Sequence, residues 1–508
     1  MLKNILTYPF EITKKQAICL IFAMACFLNI VTFNILQHNG FYSYLNEDVA
    51  CIVDMSKSFE TEYEFVNKIS SGDWNSATDL LKTYWKPPAY FIFSAPFLLI
   101  ISNVNLFLSI LNFFLCFITL LSVYGIVKNL CSIKAGLFAV FILSFCPLFF
   151  VIHRTFFIET ILATAICLVL YIITKNKFDN PYWNILFTLS LIFALLTKEQ
   201  IFIFYPAFLL FISANKENYK NSKRIINIII SFFCSYVIAY FMWYGNNAPN
   251  IFQHLLYYAK DMNNCDFFYY IKSFYYFDLS PLVFILLAFS IIYLLFSRKH
   301  LYILISFLFV LFVFSLSTNK VSRHIFPIIV FCPILMALFI FQIKNIFIKR
   351  SLILIICFVL SSQFILINFS HIKYFRSGNF YGYNYFKSVT YYDYKSKIQT
   401  YKQQYDYLKD LLGKDFEQDT LFINFFPTQA YNFLIFQENR KHKTCNIFTY
   451  YDVHRTNLTQ YKNIVISSKD EQEYNKIAEQ LLNNNYELVG VVDIYNHTEA
   501  KTLLYKKK

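Results

Sequence analysis

Charge is what this sequence has least of for its length. Asp, Glu, Lys and Arg supply 15% of its 508 residues, against 57% hydrophobic residues. That balance excludes an ordinary soluble multidomain protein and puts the chain in the membrane class. Glycine is also scarce, with nine residues beside 61 phenylalanines. Together with abundant Ile, Asn, Lys and Tyr, this ratio reads as an AT-rich coding bias, which leaves membrane burial unchanged. There are twelve cysteines, but no C-x-x-C pair, and most lie inside apolar runs, as Cys19, Cys116, Cys146, Cys234 and Cys357 do. No metal or disulfide framework is implied. Cys51, Cys265 and Cys445 fall outside the spans, an odd number, which leaves room for at most one bridge, such as Cys51 to Cys265.

What the chain does have is a series of apolar stretches running from residue 17 to about residue 369. Its net charge of +14 sits largely in short loops between these stretches. This is the pattern of the positive-inside rule and argues against a nucleic-acid partner. Lys3, Lys14 and Lys15 precede the first run and no small-residue cleavage site follows it. Residues 17 to 37 therefore read as a retained first span with its N-terminus inside.

A polar loop follows, and then the segment beginning at Pro87-Pro88 and ending near 102. It is short of the roughly 20 residues that a crossing needs, and prolines at 87, 88 and 96 weaken it further. If it crossed, the Lys/Arg-rich loops after it would fall mostly outside. Read instead as re-entrant, it makes 38 to 102 one external loop. The remaining spans then fall near 104–127, 134–152, 157–174, 182–197, 200–214, 224–244, 279–297, 300–317, 323–342 and 350–369. Their inside loops hold Lys128 and Lys134; Lys175 and Lys177; Lys216, Lys220, Lys223 and Arg224; Arg298 and Lys299; Lys344, Lys349 and Arg350. Every inside loop is basic, as the rule requires. The expected fold is a polytopic α-helical membrane protein of about 11 to 13 transmembrane helices. The membrane domain covers 1–370, in a bacterial inner or plasma membrane.

From about residue 375 the composition changes. TLFINFF (420–426), NIVIS (463–467) and YELVGVVDIY (486–495) read as buried strands, with helices near 401–412 and 471–484. Residues 375–508 are thus expected to form a small α/β domain on the outer face with a partly parallel sheet. No Gly-rich phosphate loop opens its helices, so nucleotide binding has no support. Its role as acceptor recognition or as a cap stays open. The sequons at Asn368, Asn457 and Asn496 read as chance in an Asn-rich chain.

The charges on the outer side need explaining, because ionisable residues at membrane level are expensive. The acid pair Glu47 and Asp48 shares that side with Lys86, Arg154, Lys198, Lys320 and Arg323. His153, Glu159, Glu199 and His324 lie there too. Carboxylates beside cations suit a reaction in which one group loses a proton while a phosphate leaves: an acid serves as general base, and fixed cations stabilise the charge on the departing phosphate. Each residue also has a plainer reading. Pro87-Pro88 can begin an interfacial helix, and Trp74 and Tyr90 can be interfacial aromatics. Glu159 can pair with Arg154, and Lys198 with Glu199 at a tight turn.

The order of these elements resembles the GT-C glycosyltransferases of the protein O-mannosyltransferase and lipid A aminoarabinose transferase type. Glu47-Asp48 is followed by Gly72-Asp73-Trp74, then by Lys86-Pro87-Pro88-Ala89-Tyr90. Arg154 with Glu159, Thr197-Lys198, and Lys320-Val321-Ser322-Arg323-His324-Ile325-Phe326-Pro327 come next. The resemblance covers roughly residues 15 to 345. It implies transfer of a sugar from a polyprenyl-phosphate carrier to a lipid, glycan or protein acceptor on the outer face, with inversion at the anomeric carbon. A first-loop acid would deprotonate the acceptor, and Lys86, Lys320 and Arg323 would hold the lipid phosphate. Glu159 would act as a second acid, orienting acceptor, sugar or a metal. The family usually writes Asp-Glu where this chain has Glu47-Asp48, so both carboxylates remain candidates for the base. His324 stands where Tyr is commoner, which would make phosphate binding pH-sensitive near neutrality. Two acids on neighbouring loops permit a divalent cation without demanding one.

Two other classes compete. A lipid-linked glycan flippase or other transporter would bind its substrate near the midplane through broken helices, whereas here the charges cluster at span ends. A non-catalytic scaffold presenting the tail leaves the first-loop charges unexplained.

Overall fold

The computed structural model describes residues 11–508 except 40–60, 63, 85–86, 102–103, 154–157, 176–177, 248–265, 280, 318–321, 370–405, 414–418, 424–445, 449–457, 469–470 and 492–500. The chain divides into two compact units, one of Met1–Ile35 with Phe65–Tyr392, the other of Leu36–Glu64 with Asp393–Lys508.

The first unit is helical. Among the described residues, six helices are long and apolar enough to cross a membrane: Lys14–Asn34, Ser109–Leu130, Ile158–Lys175, Ser222–Asn247, His324–Gln342 and Ile346–Leu366. Six shorter apolar helices accompany them: Ala89–Ile100, Ile133–Ser144, Pro181–Leu195, Glu199–Ser213, Pro281–Ser297 and Leu301–Ser315. These segments coincide with the apolar runs read from the sequence, the 87–102 segment included. The elements used below are α1 (Lys14–Asn39), α2 (Trp74–Thr83), α3 (Ala89–Ile100), α4 (Val104–Leu130), α5 (Ile133–Ser144), α6 (Pro147–Ile152), α7 (Ile158–Lys175), α8 (Pro181–Leu195), α9 (Tyr205–Ser213) and α10 (Ser222–Ala239). They continue with α11 (Pro281–Ser297), α12 (Leu301–Ser315), α13 (Ser322–Ile329), α14 (Phe331–Gln342) and α15 (Ile346–Phe369).

Burial separates core from periphery. The span from His324 to Gln342 is 83% buried, whereas those of α10 and α15 are 17% buried and present Ile226, Phe233, Phe241, Leu354 and Phe358 outward. In lipid such apolar exposure carries no penalty, and the helix satisfies its own backbone. At the centre, α4 and α7 run parallel in a register that offsets partners by 45 residues. Thr119 and Thr164 share a 2.8 Å hydroxyl bond, and Asn129 donates to Thr174 at 3.3 Å. Gly125 lets them approach: a Cβ there would lie 2.3 Å from the Tyr171 ring. Small residues and interhelical hydroxyl bonds are the usual means of close packing in a bilayer.

One end of this bundle is basic. Lys128, at the end of α4, feels the charges of Lys14 at the start of α1 and Lys175 at the end of α7. Lys175 also lies 4.3 Å from the centroid of Trp183. The connections at this end are tightly built. Asn180 caps α8 by accepting from Tyr182 N, and Asn221 caps α10 by accepting from Lys223 N, both at 2.9 Å. Phe178 adopts φ +54° and its carbonyl accepts from Asn227 and Asn184 side chains at 2.8 and 3.2 Å. Arg224 is paired with Asp179. The lysines gathered here come from loops expected to share one side of the membrane.

The second unit holds a five-stranded sheet in the order β2-β1-β3-β5-β4, with strands β1 (Thr420–Ile423), β2 (Asn446–Phe448), β3 (Asn463–Ser468), β4 (Tyr486–Val491) and β5 (Lys501–Lys507). The pairs β1–β2 and β1–β3 are parallel; β3–β5 and β4–β5 are antiparallel. Helix α16 (Glu471–Asn483) packs Ile477 and Leu481 on Ile464, Ile466 and Tyr486. Tyr486 Oη donates to the carbonyls of Leu458 and Tyr461 at 2.6 Å. The expected strands at 420, 463 and 486 are present, as is a partly parallel sheet. Strands β2 and β5 were not expected from the sequence.

Candidate active site

Glu159 occupies the first turn of α7, where free N–H groups and the helix dipole favour a carboxylate. It is 4% exposed. Lys198 stands just after α8 in extended backbone, φ −162° and ψ 144°, at the start of the 3-10 turn Glu199–Phe204. Its Nζ donates to Glu159 Oε1 at 2.7 Å. The plainer reading of Lys198 paired with Glu199 is therefore replaced: the carboxylate it meets comes from the neighbouring helix. At one helix rise per residue, Glu159 lies about 24 Å from Lys175, so the pair and the basic cluster occupy opposite ends of the bundle.

Around this pair the chain ties down the stretch that contains the Lys-Pro-Pro motif. Ala89 N donates to Leu196 O at 2.8 Å, two residues before Lys198. Tyr244 Oη donates to the adjacent Leu195 O at 2.8 Å. These are carbonyls at the C-terminus of α8, which lack partners within their own helix. On the other side of residues 85–86, Trp243 Nε1 donates to Tyr84 O at 2.9 Å and Asn247 Nδ2 to Lys82 O at 2.7 Å. Trp243 and Tyr244 belong to a π-helical turn, Tyr240–Tyr244, which widens α10 and rotates its end, a device common at functional sites. Sequence reasoning missed these residues, because Trp243 and Tyr244 read as ordinary members of an apolar span.

Pro88 stands at the N-cap of α3, a continuous 12-residue helix that carries Pro96 within it. At about 18 Å it is shorter than a bilayer core. Tyr90 is 1% exposed and so is a core residue, not an interfacial aromatic. Trp74, at 63% exposed, does suit an interfacial position. Before it, Gly72 adopts φ +79° and Asp73 accepts from Ser76 N at 3.2 Å to cap α2. Hydrogen bonds from Ser76 hold the Asp73 carboxyl below its ordinary range. The Gly-Asp-Trp element is thus a turn and cap.

Arg323 lies in α13, and His324, half-buried, follows it. Phe326 of the same helix stacks on Phe149 with centroids 6.0 Å apart and meets His153 at 5.6 Å. His153 stands in the turn after α6, as expected, but it is buried at 5% exposed. Glu47, Asp48, Lys86, Arg154 and Lys320 lie outside the described residues, as do Cys51, Cys265 and Cys445. Among the described residues, no three His, Cys, Asp or Glu side chains come together as metal ligands.

The polytopic helical bundle, with a carboxylate–lysine pair at the end opposite its basic loops, and the small mixed-sheet unit have the fold seen in solved structures of ArnT. Residues 85–243 match the family described as Dolichyl-phosphate-mannose-protein mannosyltransferase. The fold is shared with the crystal structure of ArnT from Cupriavidus metallidurans bound to undecaprenyl phosphate, at 13% identity and a TM-score of 0.57, over 97% of this chain and 98% of that one. It is shared with the apo ArnT structure from the same organism at 13% identity and a TM-score of 0.52, over 95% of this chain and 97% of that one. No curated protein sequence matches the chain. The resemblance to GT-C glycosyltransferases of the protein O-mannosyltransferase and aminoarabinose transferase type, drawn from the sequence motifs, is borne out.

Proposed function

We propose that the protein transfers a sugar from a polyprenyl-phosphate carrier to an acceptor on the extracytoplasmic face of the membrane, inverting the anomeric carbon. A carboxylate of Glu47 or Asp48 takes the proton of the acceptor hydroxyl. The acceptor oxygen attacks the anomeric carbon from the side opposite the phosphate. The bond from that carbon to the phosphate oxygen breaks, and its electron pair leaves with the lipid phosphate. Lys86, Arg154, Lys320, Arg323 and His324 bind that phosphate, where fixed positive charge acts most strongly in the transition state. Lys198 joins them while its bond to Glu159 fixes its position, and Glu159 orients the acceptor or sugar.

The observation that carries this reading is the Lys198–Glu159 bond of 2.7 Å beside the Ala89–Leu196 tie. It joins three motif elements distant in sequence at one end of the bundle. ArnT in its crystal structure is bound to undecaprenyl phosphate, which supports a lipid phosphate as donor here. Incubating the purified protein with polyprenyl-phosphate sugars should release polyprenyl phosphate, detectable by mass spectrometry. No release with any sugar in the presence of cell-envelope acceptors would refute the reading.

Topology gives a separate test. With α3 re-entrant, cysteines introduced as Glu47→Cys, Lys198→Cys and Lys320→Cys should react with a membrane-impermeant thiol reagent in sealed cells. Reaction only from the cytoplasmic side would invert the orientation and place the tail unit inside.

A further inference from the structure

Between α1, α4 and the end of α6 lies a small cavity with mainly apolar walls, Ala25, Leu28, Phe113 and Phe150 among them, into which Asn29, Thr32, Asn112, Cys116 and His153 bring polar groups. Asn112 and His153 are 3% and 5% exposed. Among the described residues, neither side-chain atom of Asn112, neither ring nitrogen of His153, nor Asn29 Oδ1 has a hydrogen-bond partner. Buried polar groups almost always find partners, and inside a membrane protein an unexplained cluster of them points to function. The space holds roughly one water molecule or hydroxyl. Among the described residues no charged side chain lines it, and its polar groups offer hydrogen bonds. Two amides and a neutral imidazole supply both donors and acceptors, the complement of an alcohol hydroxyl.

Its depth in the bundle is fixed by the α4–α7 register. Thr119 opposite Thr164 and Asn129 opposite Thr174 put Asn112 within about 3 Å, along the axis, of the level of Glu159. On its other side, His153 touches Phe326 of the helix that carries Arg323 and His324. We infer that the Asn29–Asn112–His153 cavity is an uncharged subsite that receives a hydroxyl of the donor's sugar. The assignment rests on the polyprenyl-phosphate-sugar reading above. It adds a sugar-recognising contact to a site otherwise made of charges, and so separates a glycosylated carrier from the bare lipid phosphate left after transfer.

The test compares the affinity of the full-length protein, in nanodiscs, for undecaprenyl phosphate and for undecaprenyl phosphate carrying mannose or glucose. The wild type should bind a sugar-bearing lipid more tightly. Asn112→Leu and His153→Phe should weaken that binding about tenfold, the loss expected for one or two hydrogen bonds, with affinity for the bare lipid unchanged. The unchanged arm also certifies folding, and His153→Gln, which keeps a donor and an acceptor, should recover part of the loss. If the wild type and both variants treat the bare and sugar-bearing lipids alike, the cavity holds only water and the subsite is overturned. If the wild type binds none of these lipids, the donor reading itself fails.

Discussion

Lys86→Ala should lower glycosyl transfer by about 10²–10³-fold, the usual loss when one preorganised donor to a developing oxyanion is removed. The protein should still insert into the membrane at wild-type abundance. Lys86→Arg should restore only part of the rate, because a guanidinium carries the charge in a wider, planar fork. The companion change, Glu47→Ala with Asp48→Ala, removes both candidate bases and should cost about 10²–10⁴-fold. The single variants then assign the base: the one that reproduces the double mutant's loss holds the proton-accepting carboxylate. Full activity in the double mutant would refute the first-loop acid as base.

The second large effect is expected at the Glu159–Lys198 pair, where stability and activity can be separated. The Glu159 side chain is 6% exposed and that of Lys198 18%. Removing either partner breaks a charge-assisted bond in a medium that solvates both groups poorly. Lys198→Ala or Glu159→Ala should therefore destabilise the protein by about 2–3 kcal/mol, between the values for exposed and fully buried pairs. Replacing both residues by Met removes the charges together and should return most of the stability. Transfer should stay low in all three variants. A double variant that regains both thermal stability and turnover would make the pair a purely structural clasp.

Much of the fold is legible in the sequence because lipid imposes a strict demand: a segment crossing it must be a continuous apolar helix that satisfies its own backbone. Hence the apolar runs at 17–37 and 350–369 reappear as α1 and α15. The tail strands at 463 and 486 are legible for a similar reason, as short apolar runs, the second interrupted by Glu487, bounded by polar residues. Strand β5 is not, because its apolar centre, Leu503-Leu504-Tyr505, is only three residues long and is flanked by lysines. It becomes a central strand through pairing with β3 and β4, which local composition cannot reveal. His153 escapes for a geometric reason. The run 134–152 reads as one helix, yet α5 ends at Ser144 and the chain restarts at Pro147, so a single helical phase does not predict where residue 153 points. Within the site, charge made Glu159 and Lys198 visible as candidates, whereas their mutual bond depends on how α7 and the end of α8 pack.

The ties around the Lys-Pro-Pro stretch involve main-chain atoms on that side: the carbonyls of Lys82 and Tyr84 and the amide of Ala89. The side chain at 82 can therefore drift without breaking these ties, whereas Tyr84 also meets Phe91 edge-on at 5.1 Å and position 89 is buried and must keep an N–H, and so never becomes proline. The constraint falls on the distant donors, Trp243 and Asn247, for which no substitute of the same reach carries the same group. Related chains should accordingly vary freely at position 82 and hardly at all at 243 and 247. A motif search confined to the neighbourhood of Lys86 would overlook the residues that tie down Lys82 and Tyr84.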